Sequence, residues 1–193
     1  MKSIGLLGGS FDPPHRGHLY ISIEAKKMLQ LYEIWWLVTP QNPLKILKPA
    51  TYQERIMNCK KISKGKPIII KGIEKKINSQ YTYQTLNYLL NHYSNIKFFW
   101  LMGADNLINF HKWQKWRKIF NEISVVVFRR HGYNNKALQS ISSKTFNNYQ
   151  ILSCQLNKNH FNKLPSWAWV KNREIKISST EIRQQRSLLR GQD

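Results

Sequence analysis

Five short apolar runs, rich in β-branched and aromatic residues, alternate with stretches of helical spacing. That alternation restricts the fold more than any other feature of the chain. The runs are residues 3–8 (SIGLLG), 34–38 (IWWLV), 67–71 (PIIIK), 97–102 (KFFWLM) and 124–128 (SVVVF). None shows the in-and-out alternation of a strand with one wet face, so each reads as a strand buried on both sides. Between them, residues 17–31, with apolar Leu19, Ile23, Met28 and Leu31, read as a helix, as do 51–62, 82–93 and 113–120. Thr51, three residues ahead of Glu54, fits an N-cap. Strands and helices in this order give an α/β fold with a doubly wound parallel sheet, in which ligands bind beyond the carboxyl ends of the strands. The 193 residues suit one domain spanning 1–193. Residues 132–163 are polar and poorly periodic and read as a loop-heavy excursion. The chain closes with an expected strand at 174–177 and a helix at 179–189.

No run approaches the roughly 20 apolar residues of a membrane span. The N-terminal apolar run is too short for a signal-peptide core and reads as the first strand. Cys59 and Cys154 form no CxxC pattern and fit two inert thiols of a cytoplasmic protein. The formal net charge of +21 fits either a field for polyanions or simple compositional drift, because the basic residues are spread along the whole chain. Charge alone therefore does not decide function.

The segment Gly8-Gly9-Ser10-Phe11-Asp12-Pro13-Pro14-His15-Arg16-Gly17-His18 stands directly behind the first strand. Paired glycines let the backbone turn sharply and let a ligand approach without a Cβ in the way. A helix beginning near Gly17 offers exposed N–H groups to an anion. His15 and His18, three residues apart, can turn their imidazoles the same way and donate hydrogen bonds to phosphoryl oxygens as charge develops. Neither the GxGxxG nor the GxxxxGK[ST] pattern occurs.

Four further strings accompany this segment: PQNPLK at 40–45, YTYQTL at 81–86, MGADNLINFHKWQKW at 102–116 and ISSTEIR at 177–183. Together the five resemble the adenylyltransferase branch of the nucleotidyltransferase superfamily, signature [HT]-x-G-H. In this order and spacing they are similar to bacterial nicotinate-nucleotide adenylyltransferases. Nearly the whole chain is covered; only 132–163 contributes no motif. The resemblance implies a Rossmann-like nucleotidyltransferase fold and a transfer of the adenylyl group of ATP, accompanied by Mg2+, to nicotinate mononucleotide in NAD biosynthesis. Such a direct displacement needs no covalent intermediate, which accounts for the absence of a Ser-His-Asp arrangement or a cysteine nucleophile.

By the same resemblance His15, His18 and Arg183 are the catalytic candidates, with His18 foremost. Gly8, Gly9, Ser10, Phe11, Gly103, Asp105, Ser178, Ser179 and Thr180 are the ATP-binding candidates. Ser179 or Thr180 fits a cap of the last helix, with Arg183 one turn on offering a forked donor. Asp105 fits a ribose acceptor or a helix cap. Lys45 fits a contact to the mononucleotide phosphate or an ordinary solvated lysine. Tyr81, Thr82 and the aromatic group Phe110, Trp113 and Trp116 are candidates for the pyridine ring and its carboxylate, although the two tryptophans also fit a core stripe. Gln84 departs from the Asp usual in the family, which bears on a local cap or hydrogen bond. No residue set is assigned to a metal.

Competing readings keep the chemistry and change the acceptor to nicotinamide mononucleotide or phosphopantetheine. Others discard the chemistry for a basic nucleic-acid-binding module, or take the chain as a fragment of a class I aminoacyl-tRNA synthetase. No RNA-binding motif and no KMSKS string occurs to support the last two. A homo-oligomer is compatible with the sequence.

Overall fold

The computed structural model describes residues 1–40, 49–152 and 156–190. Its sheet is built from β1 (Lys2–Gly9), β2 (Glu33–Val38), β3 (Ile68–Lys71), β4 (Ile96–Gly103), β5 (Ser124–Phe128), β6 (Gln150–Ile151) and β7 (Trp167–Val170). The spatial order is β3-β2-β1-β4-β5-β7-β6, and every adjacent pair is parallel. From β1 the chain winds out to β3 on one side, then returns to lay β4 on the other. The switch point therefore lies between the carboxyl ends of β1 and β4, where a doubly wound sheet opens a crevice.

Successive strand residues face opposite sides of the sheet, and both sides are buried. Leu6, Trp35, Phe98, Trp100, Val125 and Trp167 pack in one core, while Leu7, Trp36, Phe99, Leu101, Val126 and Ala168 pack in the other. The second face is covered by α1 (Arg16–Met28) and α2 (Tyr52–Ser63) through Ala25, Leu29 and Cys59. The first is covered by α3 (Ile73–Lys76), α4 (Thr82–His92), α5 (Ala104–Asn109), α6 (Trp116–Glu122), α7 (Asn134–Leu138) and α8 (Ile141–Thr145). Burial of each large side chain contributes roughly 1.5–3 kcal/mol, so these two layers dominate the stability. The last helix, α9, spans Ser179–Arg190. No helix among the described residues is long and apolar enough to cross a membrane.

Several expectations need correction. Residues 174–177 are not a strand: the edge beside β5 is taken by β7, and 171–178 has no regular secondary structure and is held by side chains. Arg129 N–H donates to Asn172 Oδ1, Asn134 Nδ2 to Glu174 Oε1, and the Arg130 guanidinium to the Ile177 carbonyl. The helix expected at 113–120 begins only at Trp116, because Lys115 takes a left-handed conformation with φ of 52°. In α1 the buried positions are Ser22 and Ala25, while Ile23 is exposed. Ser22 is buried because its hydroxyl accepts from Trp36 Nε1 and donates to the His18 carbonyl. The excursion 132–163 holds α7, α8 and β6, elements too short to show a period in sequence. Cys59 is buried among apolar groups, and that burial pushes its thiol up to about 12; Cys154 lies outside the described residues.

Candidate functional site

A cavity of about 570 Å3 opens at the switch point, within the size range of small-molecule sites. Its floor is the end of β1 and β4, and its walls come from α1, the start of α4, the segment after β5 and the arm 172–180.

His15 is the N-cap of α1, and its Nδ1 accepts the Gly17 N–H at 3.1 Å. His18, at the third helical position, reaches back so that its Nδ1 accepts the His15 N–H at 3.2 Å. The two imidazoles thus make a reciprocal capping box, and their rings lie 3.9 Å apart. Because each Nδ1 is an acceptor, the hydrogen of each neutral ring sits on Nε2. Burial, reinforced by the nearby Arg130 cation, lowers the His15 pKa to about 4 and keeps that ring neutral near pH 7. Gly17 has a clear reason to be glycine here. A Cβ would stand 2.9 Å from the His15 ring and push it away from the helix end. Behind His18, the Phe11 ring stacks on Trp36 at 4.8 Å and supports the imidazole at 4.7 Å.

The loop is held from beneath by Arg55, which is 1% exposed. Its guanidinium donates to the carbonyls of Ser10, Thr39, Pro40 and Ala50 at 2.6, 2.7, 2.7 and 2.9 Å. One buried cation therefore ties the ends of β1 and β2 to the start of α2.

On the other side Ser178, Ser179 and Thr180 line the cavity at the start of α9. The capping residue is Ser178, whose Oγ accepts the Glu181 N–H at 3.1 Å, rather than Ser179 or Thr180. Ser179 instead donates to the Pro13 carbonyl at 2.9 Å, because the arm folds back onto the β1–α1 loop. Arg183 does not line the cavity: its guanidinium donates to the Asp12 carbonyl and to Thr180 Oγ1. Gly103 and Asp105 lie on the floor, and a Cβ on Gly103 would stand 2.5 Å from Asp105 Oδ1, so glycine lets that carboxylate fold back. Asp105 pairs with Arg130 through Oδ2 and keeps Oδ1 buried without a partner among the described residues.

At the far end Tyr81 and Thr82 line the cavity at the start of α4, whose N-cap Tyr81 makes no side-chain cap. Gln84 supplies the local bond in place of a carboxylate. It accepts from the Ser79 hydroxyl, which in turn accepts the Tyr81 N–H at 3.1 Å. Trp113 lines the cavity and meets Trp100 edge to face at 6.2 Å. Phe110 and Trp116 do not line it; both are core residues, Phe110 fully buried and Trp116 packed on Phe120 and Phe146. The two tryptophans part ways because Trp113 precedes α6 in extended backbone, whereas Trp116 opens the helix. Lys45 lies outside the described residues.

Sequence reasoning overlooked Arg129, Arg130, Thr39 and Glu74, all in the wall. Thr39 and the pair of arginines directly follow β2 and β5, so the rule that ligands gather at carboxyl ends of strands would have found them. Among the described residues no three His, Cys, Asp or Glu side chains converge to hold a metal.

The family described as cytidylyltransferase-like matches residues 6–185. A protein named "probable nicotinate-nucleotide adenylyltransferase" from Ruegeria sp. (strain TM1040) is 42% identical over 94% of this chain and 96% of its own length. One of the same name from Cereibacter sphaeroides is 38% identical over 93% and 95%. In fold, the chain is similar to nicotinic acid mononucleotide adenylyltransferase of Plasmodium falciparum complexed with NaAD. That likeness has a TM-score of 0.71 at 19% identity and covers 95% of this chain and 83% of the other.

Proposed function

The chain belongs to the cytidylyltransferase-like family, and from that premise we propose that it transfers the adenylyl group of ATP to nicotinate mononucleotide, a step of NAD biosynthesis in the cytoplasm. One observation carries the reading: a single cleft has hydrogen-bond donors for phosphates at one end and, at the other, an aromatic face beside an uncapped helix start.

A phosphate oxygen of the mononucleotide attacks the α-phosphorus of ATP. The bond from that phosphorus to the bridging oxygen breaks, and pyrophosphate leaves with its electron pair. Charge spreads over the phosphoryl oxygens, and the Nε2–H groups of His15 and His18 are placed to donate to them. With both Nδ1 atoms tied to backbone, the donors are oriented before the reaction and need no rearrangement. Ser178, Ser179 and Thr180, with the start of α9, face the β- and γ-phosphates. Arg183 reaches those oxygens by exchanging the Asp12 carbonyl for a phosphate. Gly8, Gly9, Ser10 and Phe11 line the nucleotide path, and Asp105 Oδ1 faces the ribose.

At the acceptor end the pyridine ring lies against Trp113, and its carboxylate meets the N–H groups at the start of α4, where the helix dipole favours an anion. Lys45 is assigned to the mononucleotide phosphate on family resemblance. Mg2+ would accompany ATP as its counter-ion. The histidine rings, arginines and hydroxyls in the wall suit phosphate oxygens, and the ion would arrive with the triphosphate and supply charge neutralisation there.

The test is pyrophosphate release from ATP and Mg2+ with nicotinate mononucleotide, nicotinamide mononucleotide or phosphopantetheine as acceptor. Nicotinate mononucleotide should have the highest kcat/KM. Preferential turnover of either other acceptor would overturn the assignment of substrate, and tight salt-sensitive RNA binding without turnover would overturn the reaction class.

A further inference from the structure

Glu74, on the one-turn helix α3, is 4% exposed and stands in the wall of the mononucleotide end. Its carboxyl bonds to the hydroxyls of Thr39, just past β2, and Thr85, in the second turn of α4. Oε2 is buried and has no hydrogen-bond partner among the described residues. A carboxylate in such a place is costly to keep charged, and nothing in the reaction as derived above uses it.

We propose that Glu74 is a positioning residue for the acid-bearing acceptor: its carboxyl holds the start of α4 through Thr85 and the end of β2 through Thr39, and its proton occupancy sets how well that helix start accepts an anion. The inference rests on the pyridine carboxylate entering at this end.

The surroundings fit the role. Tyr52 of α2 is packed toward Glu74, with Arg55, 5.5 Å from its ring, and Cys59 in the same environment. Lys75 and Lys76, on its own helix, hold their ammonium groups over the rings of Tyr52 and Tyr88 rather than at the carboxyl. Burial, only partly offset by the two threonine bonds, raises the Glu74 pKa to about 7. Below that pH Glu74 is uncharged and its part of the wall accommodates an anionic ring substituent. Above it, binding the anion forces a proton back onto Glu74, and affinity falls with rising pH. A carboxamide in the same place carries no such penalty, so discrimination between acid and amide weakens together with acid binding.

Calorimetric titration of the full chain with nicotinate and nicotinamide mononucleotides between pH 6 and 8.5, in buffers of different ionisation heat, tests this. For the wild type, nicotinate mononucleotide should bind up to about tenfold more weakly per pH unit above 7, with proton uptake, while the amide shows little of this slope. Glu74→Gln should match the wild type at pH 6 within about threefold, lose the slope and take up no proton. Glu74→Ala, checked for cooperative unfolding, should bind the acid about tenfold more weakly even at pH 6. A Gln variant that keeps the wild-type slope overturns the proposal, as does an Ala variant that binds like wild type at pH 6. If the wild type forms no pyrophosphate from nicotinate mononucleotide and ATP, the acceptor assignment itself fails and Glu74 falls with it. Normal turnover with parallel slopes sinks Glu74 alone.

Discussion

At the end of the cleft proposed to hold the phosphates, the assigned groups are neighbours in sequence. His15, Gly17 and His18 fix one another through two hydrogen bonds from backbone N–H to imidazole Nδ1 and a missing Cβ. At the end proposed for the mononucleotide, Thr39, Glu74, Thr85 and Trp113 come from four separate places along the chain and are brought together only in the folded protein. The first end is preorganised by local geometry and the second by packing. Damage should therefore appear in different observables: in the chemical step at one end, and in acceptor affinity or stability at the other.

The largest effect is expected at the local end. Replacing His18 by Ala removes an oriented Nε2–H donor and also the acceptor for the His15 N–H. Loss of one such donor typically costs about 100- to 1,000-fold in kcat. KM for either substrate should move less than about fivefold, since ground-state contacts are spread over the cleft. Steady-state pyrophosphate release checks both numbers. A fall in kcat below about tenfold would remove the distinction between the two ends.

A pair of tryptophans tests the other end. Trp116 is buried against Phe120 and Phe146, and Trp116→Ala should destabilise the fold by about 3 kcal/mol by urea denaturation. The folded fraction should keep its acceptor KM. Trp113→Ala should do the reverse, raising the nicotinate mononucleotide KM by about fivefold with a smaller loss of stability. If both variants shift KM alike, the two rings share one role and the boundary between core and pocket is misplaced.

This contrast also explains what could be read before the fold was known. The parallel sheet was legible because continuous apolar runs such as IWWLV and SVVVF have few alternatives to a buried strand. The H-x-G-H segment and the helix start near Ser179 were legible because capping and anion binding are properties of a few adjacent residues. Of the two readings open for Trp116, core rather than pocket holds because its direction depends on the left-handed Lys115, which no spacing rule reveals. The strand expected at 174–177 failed for a similar reason: β7 had already taken the edge of β5. Glu74 carries no motif at all. Its significance comes from burial beside two threonines brought in by the sheet and by α4.

The smallest effect concerns His15 and separates its structural role from its chemical one. Its folded-state pKa of about 4 lies below the ordinary 6.5, chiefly through burial. An unfolded chain takes up a proton on this ring as pH falls through 6.5, and the folded chain does not until about 4. Stability should therefore be fully present above 6.5 and decline between those values, by on the order of 1 kcal/mol once solvent screening is allowed for. His15→Asn keeps a side-chain acceptor for the Gly17 N–H but cannot titrate, so its urea midpoint should depend less on pH across that window. Equal pH dependence in the two proteins would mean that the ring is not held neutral by the fold. Turnover adds the second half of the argument. A donor that stays neutral from pH 6 to 8 contributes no inflection there, so any inflection in kcat in that range must come from another group, and His15→Asn should lower the plateau without moving its edges.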